Sequence, residues 1–156
     1  MTDATPSSRA ERRQVAALCW RAGQGGAVEI LLVTSRDTGR WVTPKGGRMP
    51  GLTDAQAAAQ EALEEAGVEG VVQEAPIGEF QYLKRLKRRA PRPTQVSVFA
   101  LRVTRELTDW KEAAQRTRRW FTAAAAAASV DETELGAVML EFASGTATLG
   151  ETADRG

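Results

Sequence analysis

The sequence predicts an α/β fold, a sandwich built around a mixed β-sheet. Three observations carry this prediction. Short apolar runs with strand character are interleaved with helical stretches along the whole chain. At 156 residues and 42% hydrophobic content, the chain can bury one core in one domain. A glycine-rich loop at 46–51 runs into an amphipathic helix with a start and a stop signal of its own.

Taken in order, residues 1–10 are polar and read as a flexible N-terminus, 11–143 as the folded domain and 144–156 as a flexible polar tail. Residues 14–20 (QVAALCW) form an apolar strand and 28–34 (VEILLVT) a second, joined by the glycine turn at 23–26 into a hairpin. Residues 35–40 are a polar loop. Trp41, Val42 and Thr43 are held extended because Pro44 disfavours the helical conformation before it.

The helix follows. Thr53 is a good N-cap and Gln56 completes a capping box. Asp54 suits the positive end of the helix dipole, and Gly67 can adopt the left-handed conformation that ends the helix. Ala55, Ala58, Ala59, Ala62, Leu63 and Ala66 repeat at helical spacing and predict the buried face, with Glu61, Glu64 and Glu65 opposite. Residues 70–83 read as extended chain broken at Pro76. Residues 94–104 are the clearest strand, 117–121 a short one, 122–128 an alanine-rich helix, and 131–142 a helix with Leu135, Val138, Met139 and Phe142 on one face.

Composition narrows the chemistry. A net charge of +1 selects no partner by its global field, and no apolar run is long enough to span a bilayer. The N-terminus has no signal-peptide core, so a cytoplasmic protein without a membrane partner is the expectation. The single cysteine, Cys19, excludes an internal disulfide and reads as core, and the absence of histidine removes imidazole as base or ligand.

Charge is segregated along the chain. From Met49 through Leu83 there are seven acids and no base, and 84–92 then carries six bases and no acid. Three glutamates on one helix face destabilise one another by about 0.2–0.5 kcal/mol per like pair, and no Lys or Arg lies on the helix to offset this. Such oxygen donors suit a hard divalent cation, although a merely solvated acidic face has the same spacing. The basic run, with Lys84 and Arg85 at its start, reads as a loop that gathers a multiply phosphorylated substrate or as a generic polyanion patch. A nucleic-acid partner is the weaker reading, because only Phe80 and Tyr82 stand near it for stacking. Lys45 can neutralise a phosphate, and Gly46 and Gly47 permit close backbone approach to a ligand.

The positions of Gly46, Glu61, Glu64, Glu65, Gly67 and Val68 match the Nudix box without insertion or deletion, so the chain resembles the Nudix hydrolase family. Leu52 stands where that pattern has its first Glu and Gln60 where it has Arg; both replacements are uncharged, so neither leaves an unpaired charge. The runs RWVTPKGG at 40–47, AAAQEA at 57–62, EEAGVEG at 64–70 and RRWF at 118–121 further resemble the diphosphoinositol polyphosphate phosphohydrolase and diadenosine polyphosphate hydrolase branch. That resemblance implies the Nudix fold, an α/β/α sandwich. It implies magnesium, or manganese in its place, held by Glu61 and Glu65 with Glu64 in the same carboxylate set and acting as the base. It also implies phosphate contacts at Arg12, Ser35, Arg36 and Arg118. Gln14 stands where the branch tends to carry another base. The activity implied is hydrolysis of a phosphoanhydride bond in a small polyphosphorylated substrate, by a monomer or homodimer. The alternatives are a non-catalytic polyphosphate-binding Nudix domain and a pyrophosphohydrolase acting on RNA 5′ ends.

Overall fold

The computed structural model describes residues 13–155 apart from 87, and their side chains apart from those of 85, 86, 89 and 147–155. The first strand, β1 (Arg13–Ala22), turns through Gly23–Gly26 into β2 (Val28–Thr34), and the two pair antiparallel with Cys19 opposite Leu31. Two short strands follow, β3 (Trp41–Val42) against β2 and β4 (Lys45–Gly47) against β1. Then come α1 (Asp54–Ala66), β5 (Val68–Val72), β6 (Gly78–Leu86), the long β7 (Arg89–Glu106), β8 (Arg118–Thr122), α2 (Ala123–Ser129) and α3 (Thr133–Arg155). The sheet is mixed: β1 and β7 run parallel, and the other pairings are antiparallel.

Both faces of the sheet are covered, which is why β1 reads as a continuous apolar run rather than as an alternation. Val15, Ala17 and Cys19 point to one side, where α1 packs with Ala55, Ala58, Ala62 and Ala66. Ala16 and Leu18 point to the other, against Leu135 and Met139 of α3. The result is an α/β/α sandwich. Its small α1 side chains let that helix lie close to β1, where no bulky residue holds it off.

Several sequence readings shift in the structure. The capping box at Thr53 and Gln56 forms, and Gly67 ends α1 at φ 66°. The buried face of α1 is broader than the alanine spacing suggests. It takes in Ala57 and Glu65, whereas Ala59 and Leu63 are only partly covered. Gly46 and Gly47 are strand residues of β4, not a loop. The basic run is likewise not a loop, for β6 and β7 continue into it as a hairpin with Lys84 opposite Arg92, and Arg88 takes the positive φ of 62° near its tip. Helix α3 runs on to Arg155, well past Phe142, and no proline interrupts it. No described helix is long and apolar enough to cross a membrane.

Candidate active site

Helix α1 carries the carboxylates, and its C-terminal turn is clamped by the segment between β7 and β8. A helix end leaves its last carbonyls without intrahelical partners. Here the Glu112 N–H donates to the Glu64 carbonyl (3.1 Å), Trp110 Nε1 to the Glu65 carbonyl (3.0 Å), and Arg118 Nη1 to the Ala66 and Gly67 carbonyls (2.9 and 3.1 Å). Arg118 also donates to the Leu107 carbonyl (2.6 Å) and stacks over the Trp110 ring. Arg118 is thus engaged with the backbone of the helix end.

The same segment supplies cations to the glutamates, which the helix lacks on its own surface. Arg116, almost fully buried, donates to Glu112 (2.7 Å) and to the Thr34 carbonyl (2.9 Å) and lies 3.7 Å from Glu65. Lys111 reaches Glu64 at 3.5 Å. Glu65 is not on a solvated face: it is buried and accepts from the Lys45 N–H (3.2 Å), which ties α1 to β4.

The three glutamates do not behave as one set. Glu61 and Glu65 lie within hydrogen-bonding reach of each other, and Glu61 fills the space at Gly46 where a Cβ would collide with its carboxyl group. Gly46 therefore makes room for a carboxylate rather than for a ligand. Burial first, and then the neighbouring Glu65, push the Glu61 carboxyl up to about 8. Burial also raises Glu65, against the pull of Arg116. Glu64 turns elsewhere and accepts from Gln60 Nε2 (2.8 Å). Among the described residues no three carboxylates form a ready-made ligand cluster. Two crowded carboxylates that hold a proton at neutral pH still fit magnesium, which commonly takes one or two protein carboxylates and completes its shell with water and phosphate oxygens.

Beside this pair opens a cleft of about 600 Å³. Of the sequence candidates, Ser35, Arg36, Lys45, Lys84 and Glu65 line it. Gly46, Gly47, Glu61, Glu64 and Arg118 do not, and Arg12 and the Arg85 side chain lie outside the described residues. Sequence reading missed Arg40, Arg116 and Tyr82 as cleft residues. Nothing in the local pattern singles out Arg116 from Arg118 and Arg119. Arg40 is held by Glu132 (2.9 Å) and Asp131 (3.6 Å). Lys45 lies over the Tyr82 ring, 4.9 Å from its centroid, and burial lowers its ammonium below the ordinary lysine range. Burial likewise pushes the Tyr82 phenol up to about 12. The two departures from the Nudix pattern, Leu52 and Gln60, border a separate groove with Leu63, Val68 and Val72, away from this cleft.

The chain is similar to known proteins over the same region. The NUDIX domain pattern matches residues 11–142. Nudix hydrolase 12, mitochondrial, of Arabidopsis thaliana is 39% identical over 98 residues, which cover 61% of this chain and 48% of that protein. Diphosphoinositol polyphosphate phosphohydrolase 3-beta of Bos taurus is 34% identical over 112 residues, 70% of this chain and 63% of that protein. The matches thus span about half to under two thirds of these relatives' own length. Among solved structures, the C. elegans Ap4A hydrolase binary complex shares the fold with a TM-score of 0.64 and 22% identity, over 87% of this chain and 98% of that one. The NUDIX domain of Shewanella oneidensis NrtR complexed with ADP ribose does so at 0.62 and 15%, over 90% and 98%.

Proposed function

The chain belongs to the Nudix family, and from that premise we propose that it is a magnesium-dependent hydrolase of a phosphoanhydride bond in a small, highly phosphorylated substrate. The observation that carries this reading is the cleft itself: Arg36, Arg40, Lys45, Lys84 and Arg116 surround the buried Glu65, beside its close neighbour Glu61. The names of the relatives, a diphosphoinositol polyphosphate phosphohydrolase and an Ap4A hydrolase, support a substrate with several phosphates in a row.

Glu61 and Glu65 would hold the divalent ion, which when bound offsets phosphate charge and lowers the pKa of water. Lys45, Arg36 and Lys84 bind and orient the phosphates, so that catalysis comes from position and charge rather than from a covalent intermediate. Water adds to one phosphorus, the bridging P–O bond breaks and its oxygen departs with the electron pair. Glu64 takes the proton from the water. To do so it leaves Lys111, an exposed contact at 3.5 Å that costs little to break. It also gives up the Gln60 amide at 2.8 Å, since Gln60 borders the separate groove.

The test is magnesium-dependent product formation, read by anion-exchange chromatography, from diphosphoinositol polyphosphate, diadenosine polyphosphates, ADP-ribose, nucleoside triphosphates and 5′-triphosphorylated RNA. Turnover is expected on the first two. Glu64→Gln should lower kcat by about 10²–10⁴-fold without changing the melting temperature; turnover near wild type would remove Glu64 as the base. Gln60 in place of the family's Arg, bonded to an outward-turned Glu64, favours a second reading, a domain that binds polyphosphate without cleaving it. Tight binding with no turnover on any member of the panel would establish that one.

A further inference from the structure

Lys45 differs from the arginines of the cleft in what holds it. Arg40 is matched by Glu132 and Asp131, and Arg116 by Glu112 and Glu65. Arg36 lies 3.9 Å from Glu112. Among the described residues, no carboxylate stands within ion-pair distance of the Lys45 Nζ; its neighbour is the face of Tyr82 at 4.9 Å. The backbone beneath Lys45 is fixed, since its N–H is bonded to Glu65 and its strand is paired with β1.

We infer that Tyr82 is a positioning residue that seats the Lys45 ammonium at the cleft wall and keeps its donors free for a phosphate of the substrate. This rests on the reading of the cleft as a phosphate site. The physical distinction is between two ways of holding a cation. A carboxylate would take up the N–H donors of the ammonium and cancel its charge. The electron-rich face of an aromatic ring attracts the cation but leaves the charge and the outward N–H groups available. The ring is itself held: Tyr82 Oη donates to Gln14 Oε1 (2.6 Å), its backbone pairs with Thr94 across β6 and β7, and Phe80 lies 6.4 Å away on the same strand. Gln14 therefore works as the anchor of the ring, at the position where the resembled branch tends to put another cation. One consequence concerns ligand choice. Lys45 covers the ring that a nucleobase would need, so the cleft selects for phosphates rather than for a base.

The experiment measures metal-free binding of inorganic tripolyphosphate by calorimetry, with ADP as the base-containing comparison. Tyr82→Leu should weaken tripolyphosphate about 10-fold, whereas Tyr82→Phe, which keeps the ring, should stay within about 3-fold of wild type. Lys45→Met should weaken it at least as much as Tyr82→Leu, and the double variant should be no weaker than Lys45→Met alone, because the ring acts only through the ammonium. Since Tyr82 is the single tyrosine in the chain, ring-labelled protein gives one tyrosine spin system. Its shift on Lys45→Met substitution reports the contact directly, and an unchanged cooperative melting transition shows that each variant is folded. Wild-type binding that Tyr82→Leu leaves unchanged, or losses that add in the double variant, would overturn the inference. A Tyr82→Leu loss confined to ADP would do the same, by making the ring a stacking platform. No wild-type affinity for tripolyphosphate would instead bring down the phosphate reading of the cleft, and this inference with it.

Discussion

Arg116 and Arg118 are separated by one residue, yet they hold the same turn of α1 in different ways. Arg116 meets two carboxylates, those of Glu112 and Glu65, besides the Thr34 carbonyl, and lines the cleft. Arg118 meets carbonyls, those of Ala66, Gly67 and Leu107, and does not line it. One arginine sets the charge around Glu65; the other sets where the helix end, and so Glu65, sits. An arginine near a site can serve its electrostatics or its geometry, and only the acceptor reveals which.

The contrast can be broken by removing each guanidinium in turn. Arg116→Ala should cost about 3 kcal/mol in urea unfolding, because buried carboxylates lose their cation. Magnesium should restore part of that loss by taking over the neutralisation of Glu65. Arg118→Ala should cost about 2 kcal/mol through orphaned carbonyls. Magnesium should not restore it, since no charge is left to balance. Equal rescue of both variants would dissolve the distinction.

A smaller effect sharpens the electrostatic half. With no metal present, the Glu61 carboxyl titrates at about 8 in the folded protein, against an ordinary value of 4.5. A carboxyl raised on folding contributes stability that is fully present below about 4.5 and is lost as pH rises through about 8. The melting temperature of metal-free protein should therefore fall between those limits. Magnesium should flatten the fall, and at pH 7 in weak buffer its binding should release protons, fading above pH 9. A flat metal-free profile would contradict the crowding of Glu61 by Glu65.

The smallest effect tests the geometric half. Gly67 sits at φ 66°, and a Cβ there would strike the Trp110 ring. Gly67→Ala should cost about 1–2 kcal/mol from the left-handed backbone alone, read from the urea midpoint. A neutral result would mean that the clamp on the helix end can yield.

What could be read from the residues was local. Thr53, Gln56 and Gly67 act on their own neighbours, so the bounds of α1 follow from them whatever surrounds the helix. The run of β1, apolar on both sides, likewise declares a strand covered on two faces. The charge of a glutamate is also local, but its direction is not. Helical spacing set Glu65 opposite the alanines, and the fold buried it, because β4 brings the Lys45 N–H to it and Arg116 comes near from more than fifty residues along the chain. The basic run between two strands reads as a loop, yet strand pairing carries on into it, with Lys84 opposite Arg92.

The sequence by itself determined the α/β class, the bounds and caps of the acidic helix, its Nudix spacing and the segregation of acid from base. These depend on interactions within a turn of helix or between alternate strand residues. Only the tertiary structure decided which glutamates face each other, which arginine enters the cleft and what lies beneath Lys45. Those outcomes depend on groups far apart in the chain, whose energies exist only once the sheet brings them together.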